Sequence, residues 1–140
     1  MTDTRHIFTY GSLMFPVVWE RVVVGRYRDS QATIHGFQRL RIRSELYPAL
    51  IVKQSGDAIT GRVYFDVSAN DVARLDHFET SDYARVTLAV TVAGKALAAD
   101  AYMTLTPEAL EPSEWNPENF ERDGIESFLS TYAATNTPLK

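Results

Sequence analysis

The sequence predicts an α+β fold: a small mixed, mainly antiparallel β-barrel-like sheet with two or three flanking helices. Three observations carry that expectation. About six or seven short β-prone runs are punctuated by glycine, proline and small polar residues. The helical patterns do not alternate regularly with the strands, which excludes a doubly wound parallel sheet and favours an antiparallel sheet or small barrel. The chain has 140 residues, 45% hydrophobic and 23% charged, the size and balance of one soluble domain.

Taken in order, Ile7 to Tyr10 is a β-prone run ended by Gly11-Ser12, a strand leading into a tight loop. Pro16 stands where a helix begins, with Val17, Val18, Trp19 and Val22 to Val24 behind it and Gly25 closing the segment. Ala32 to Ile34, Arg39 to Ile42, Ala49 to Lys53 and Ile59 to Val67 read as strands. Arg39, Arg41 and Arg43 alternate with Leu40 and Ile42, the pattern of a strand's solvated face. Ser68 and Asp71, three residues apart, mark a helix start, and Val72, Leu75 and Phe78 share one face of that helix. Tyr83 to Val92 alternates again, Ala93-Gly94 turns, and Lys95 to Met103 returns as a hairpin partner. Asn116-Pro117 resembles a cap and first helical residue. Ile125, Phe128, Leu129 and Tyr132 then give an amphipathic stripe. Residues 1–140 thus read as one domain, with 107–140 a C-terminal helical extension packing on it.

Composition excludes several chemistries. There is no cysteine, hence no disulfide scaffold, thiolate metal site or cysteine nucleophile. The three histidines, His6, His35 and His77, are far apart and show no metal-binding spacing. No glycine-rich nucleotide motif occurs, so neither a metal nor an organic cofactor is expected. The net charge of −4 and scattered basic residues argue against nucleic acid. The N-terminus lacks a signal-peptide run and no apolar stretch is long enough for a membrane span, so a cytoplasmic protein is expected.

Two segments hold candidate chemistry. Phe8-Thr9-Tyr10-Gly11-Ser12-Leu13-Met14 brings several backbone N–H groups to one loop, where they suit a carboxylate or a developing oxyanion. Judged alone, this is an ordinary strand-to-helix turn. Ser12 is outside any nucleophile elbow and lacks His and Asp partners, so a serine hydrolase is not expected. Leu75-Asp76-His77-Phe78-Glu79 places a carboxylate at a helix end, the unfavourable pole of the helix dipole. Alone, Glu79 and Asp76 read as surface acids.

In order, these pieces resemble the gamma-glutamylcyclotransferase superfamily, in its avirulence-induced-gene-like, gamma-glutamylamine branch. The resemblance runs over about residues 6–105. It rests on Phe8-x-Tyr10-Gly11-Ser12-Leu13, Gly36-Phe37, Tyr47-Pro48-Ala49-Leu50, Gly61-x-Val63-Tyr64 and Leu75-Asp76-x-Phe78-Glu79 followed by Tyr83 and Arg85. The sequence departs from the pattern at Thr80, where the family often has glycine.

The resemblance implies a barrel-like sheet and a small-molecule gamma-glutamyl substrate. It implies an intramolecular reaction of transferase or lyase type that releases 5-oxoproline and a free amine or amino acid, with no covalent enzyme intermediate. Glu79 would be the general acid/base. Tyr10, Gly11, Ser12 and Leu13 would hold the substrate, with Tyr47, Tyr83 and Arg85 as further pocket residues. Arg85 also reads as a residue on the polar face of its strand. The alternative is a non-catalytic module binding small molecules on the same scaffold. The leaving amine and the oligomeric state are open.

Overall fold

The computed structural model describes residues 4–42, 48–52, 58–79, 83–104 and 110–125. Five strands close a barrel in the order β1 (Thr4–Thr9), β5 (Ile59–Ser68), β2 (Asp29–Ile34), β6 (Tyr83–Val92), β7 (Lys95–Thr104). Every neighbour is antiparallel except β7 against β1, which closes the barrel in parallel. A separate three-stranded sheet runs β4 (Pro48–Val52), β3 (Phe37–Ile42), β8 (Leu110–Glu114). The mixed, mainly antiparallel barrel expected from the sequence is therefore present.

Period-two alternation sorts the barrel residues between two cores. Phe8, Val63 and Ala101 join one buried cluster with Tyr10, Ala32, Ile34, Val90 and Ala99, which Leu50 of the small sheet also enters. Their chain neighbours Ile7, Tyr64 and Tyr102 face a second cluster with Leu13, Val18, Trp19, Val72, Leu75, Trp115 and Phe120. The second cluster is where the helices pack, so helices α1 (Pro16–Val22) and α2 (Ala69–Glu79) are anchored by the outward-facing half of the barrel.

The β6–β7 hairpin turns at Ala93 and Gly94, both at positive φ, as a two-residue turn with the strands' own twist requires. Gly61 on β5 lies so close to β1 that a Cβ there would stand 2.1 Å from the Thr9 carbonyl oxygen. Among the described residues, no helix is long and apolar enough to cross a membrane.

Two sequence expectations are corrected. The segment read as a helical extension contributes a strand first: β8 pairs antiparallel with β3. Only then does Asn116 cap a short helix, α3 (Pro117–Asn119), its side chain accepting the N–H groups of Glu118 and Asn119. A π-turn follows over Phe120–Gly124. Leu110-Glu111-Pro112-Ser113-Glu114 has little β propensity, and the neighbouring β3 edge overrides it. Phe128, Leu129 and Tyr132 lie outside the described residues. The second correction is Arg39. It is not a solvated strand charge: its guanidinium donates to the Tyr10 carbonyl at 2.9 Å and sits 5.3 Å over the Trp115 ring.

Candidate active site

Helix α2 positions Glu79. Ser68 caps its start by accepting the Asp71 N–H at 3.2 Å, and Val72 and Leu75 bury the core-facing stripe. Phe78 packs against the same cluster, which draws the final residue, Glu79, inward. Its carboxyl makes no hydrogen bond with another described residue. Burial, helped by the charge of Asp76 one turn earlier, pushes its pKa from 4.5 up to about 8. Near neutral pH the group therefore holds its proton most of the time, yet releases it readily.

The Tyr10–Leu13 loop is fixed from several sides. Tyr10 is buried; its hydroxyl donates to the Tyr102 carbonyl oxygen. Burial and then the Glu79 charge raise its pKa well above the ordinary tyrosine value. The hydroxyl thus braces the loop and is already committed. A Cβ on Gly11 would meet Pro48 Cδ at 2.7 Å, so the loop lies directly on β4. Tyr83 donates to the Pro48 carbonyl at 3.2 Å. The loop, Pro48 and Tyr83, far apart in sequence, are brought together here. Tyr47 lies outside the described residues.

Ser12 and Leu13 are buried in a 3-10 turn over Ser12–Met14. The N–H groups of Met14 and Phe15 close back on the Gly11 and Ser12 carbonyls. Those of Gly11, Ser12 and Leu13 have no hydrogen-bond partner among the described residues.

Arg85, read as a substrate-binding residue, is held by its own chain. It donates to Asp76 at 3.0 Å and to Asp100 at 2.6 Å. Burial alone would lower its pKa, but the two carboxylates outweigh burial and raise it. Asp100 also accepts from Thr87 at 2.8 Å and lies 3.5 Å from Arg5. The contacts of Arg85 thus form a clamp on Asp76, with two carboxylates engaging its planar fork.

Tyr102 is the residue that sequence reading missed. It donates to Asp76 at 2.6 Å while its carbonyl receives the Tyr10 hydroxyl. Burial and the Asp76 contact raise its pKa. A signal was present: counting outward from the Ala93-Gly94 turn pairs Thr87 with Asp100 and Arg85 with Tyr102, as observed. Among the described residues, no group of acidic or histidine side chains is arranged to hold a metal ion.

This barrel with its small side sheet is a cyclotransferase-type fold. A solved structure described as a gamma-glutamyl cyclotransferase superposes with a TM-score of 0.67 at 14% identity, covering 98% of this chain and 86% of that one. The match at that identity concerns the fold alone. The sequence places the chain more narrowly: over residues 7–121 it matches the family model "Gamma-glutamyl cyclotransferase, AIG2-like", and it belongs to that family.

AIG2-like protein A of Arabidopsis thaliana is 29% identical over 133 residues, 91% of this chain and 79% of that protein. A solution structure of an Arabidopsis thaliana protein gives a TM-score of 0.69 at 28% identity, covering 91% of this chain and 87% of that one. An AIG2-like protein from Mus musculus gives 0.63 at 26% identity, covering 81% and 88%.

Proposed function

We propose that the protein is a gamma-glutamyl cyclotransferase in which Glu79 moves the proton. The observation that carries this reading is a half-buried carboxyl, without a hydrogen bond among the described residues, whose pKa is pushed up to about 8. That value lies next to the roughly 7.7–8.0 of an α-amine, so proton exchange between the two is nearly balanced.

In this reading the substrate's α-amine nitrogen attacks its own γ-carbonyl carbon. The new C–N bond closes a five-membered ring, and the bond from that carbon to the leaving nitrogen breaks. The α-ammonium gives one proton to Glu79, and Glu79 passes it to the departing amine. The freed carboxylate then takes the second proton from the ring nitrogen, leaving the neutral lactam N–H, and releases that proton to the free amine or to solvent. The products are 5-oxoproline and a free amine or amino acid. The reaction is intramolecular, so folding the substrate into an attacking shape supplies much of the acceleration. The N–H groups of Gly11, Ser12 and Leu13 support a role in receiving the oxyanion or the α-carboxylate. Asp76, clamped by Arg85 and Tyr102, raises the proton affinity of Glu79.

The test is Glu79→Gln, assayed for 5-oxoproline release from gamma-glutamyl amines, gamma-glutamyl dipeptides and glutathione. Release by the wild type and its loss in the variant, about 10²–10⁴-fold, with the fold intact, is the expected result. Retained turnover removes Glu79 from the mechanism. Binding without product in the wild type leaves the non-catalytic module.

Because enzyme and substrate must share one proton, kcat/KM is expected to follow a narrow bell. Below the bell both groups are protonated and no base remains; above it neither holds a proton for the leaving nitrogen. With Glu79 at about 8 and the amine beside it, the maximum should fall near pH ~8.

A further inference from the structure

A cavity of about 490 Å³ opens on the outer face of the barrel, between α1, the segment after it and β5. None of its lining residues belongs to the Tyr10–Leu13 loop, and Glu79 is not among them. Its walls are aromatic and apolar: Trp19, Tyr27, Tyr64 and Val24, the last an exposed apolar side chain at 68%. Its charged residues are Glu20, Arg26 and Asp29. A volume of this size is in the range of small-molecule sites.

The unusual group here is Tyr64. It is 4% exposed, its ring stacks on Trp19 at 3.7 Å and 2°, and its hydroxyl has no hydrogen-bond partner among the described residues. A buried hydroxyl is ordinarily satisfied, and an exception calls for a missing partner. The hydroxyl keeps its proton, since burial raises its pKa, followed by the charge of Asp29 and, more weakly, Glu20. Both carboxylates line the same cavity as Tyr64. Asp29 is paired with Arg62 at 2.8 Å. Glu20 is exposed and takes part in no hydrogen bond or ion pair among the described residues, which leaves an unmatched negative charge and an unmatched hydroxyl oxygen lining one cavity.

We infer that this cavity is a second binding site, taking a small primary ammonium compound with an apolar or aromatic body. The ammonium donates to the Tyr64 oxygen and pairs with Glu20, and the body lies along Trp19, Val24 and Tyr27. The Tyr64 hydroxyl is shielded from solvent, so the ammonium reaches it with a shift of lining side chains. Simple amines and amino acids share the ammonium; Arg26 offers a partner to the carboxylate of the latter.

The full chain is titrated with phenethylamine, L-phenylalanine and 3-phenylpropionate, followed by calorimetry and by backbone chemical-shift mapping. The two ammonium compounds are expected to bind with shifts centred on residues 16–29 and on Tyr64, and the acid is not. Arg26→Ala should weaken L-phenylalanine alone, which separates an amino-acid site from an amine site. Tyr64→Phe, which keeps the ring, should weaken both by about tenfold. Glu20→Gln, on the helix surface, should weaken both as well and covers the case in which Tyr64→Phe does not fold. Glu79→Gln should bind them like the wild type, so failure of the catalytic reading leaves this site standing. Equal binding of 3-phenylpropionate, no binding of any of the three, or shifts centred on Tyr10–Leu13 would overturn the inference. So would unchanged affinity in both Tyr64→Phe and Glu20→Gln.

Discussion

The raised pKa of Glu79 has a thermodynamic consequence as well as a catalytic one. The unfolded chain ionises this carboxyl near its ordinary 4.5, whereas the folded protein resists until about 8. Its contribution to stability is thus fully present below the unfolded value and is lost as pH rises through about 8. Glu79→Gln removes that dependence. The variant should be more stable than the wild type by on the order of a few kcal/mol at pH 8 and above. The gap should narrow toward pH 5, as read from urea unfolding at several pH values. An unchanged gap across that range would mean the carboxyl is better solvated than its position suggests. Asp76 acts on Glu79 through charge. Asp76→Asn should therefore keep turnover within about tenfold while moving the acidic limb of the bell to lower pH, by up to about one unit. A stationary limb would dismiss the coupling.

Elements matter here because each candidate residue is held by an element other than its own. Helix α2 carries Glu79, but buried Asp71 on the same helix grips the segment after α1. Asp71 accepts from Val24 N–H at 2.9 Å, Gly25 N–H at 2.8 Å and Tyr27 hydroxyl at 2.6 Å, and pairs with Arg74 at 2.9 Å. Burial favours its neutral form, but these bonds prevail and hold its pKa below the ordinary carboxylate value. The two helices are thereby joined. The loop is similarly set by β4. Gly11 is there because the approach of Pro48 leaves no room for a side chain; its φ of −129° is open to any residue. Gly11→Ala should displace the loop at a cost of about 1–3 kcal/mol. Melting should show a folded protein, and the 5-oxoproline assay a loss of at least about tenfold. Full activity would show that the loop tolerates displacement.

For the whole molecule, the C-terminal segment belongs to the core. β8 completes the small sheet, and Trp115 and Phe120, each about 5% exposed or less, join the larger cluster. Losing a buried Trp or Phe costs on the order of 3–5 kcal/mol, and a domain's whole margin is roughly 5–15. Truncation after Thr106 should therefore abolish the cooperative thermal transition followed by circular dichroism. A truncated chain that still melted cooperatively would demote the segment to an appendage.

Much of the fold was legible because local rules and tertiary contacts agree. The Ser68 cap, the Ala93-Gly94 turn, Pro16 at the start of α1 and the alternation of β6 and β7 each follow from nearby residues. β8 was not legible, since its pairing edge is some seventy residues away in β3. Arg39 was misread for a related reason: alternation shows that a side chain faces away from Leu40, but not what covers that face. At the site, the ordered loop, Tyr-Pro and Phe-Glu motifs marked which residues to examine. Their resemblance pointed to Glu79 and the loop.

Only the tertiary structure decided what each group does. Packing half-buries Glu79 and lifts its proton affinity, pairs Arg85 with Asp76 and Asp100, and brings in Tyr102 to join Asp76 to Tyr10. The sequence by itself determined which residue types and local turns were present. Burial, charge pairing and the close approach of Gly11 to Pro48 depend on distances between segments, and those arise only when the barrel closes.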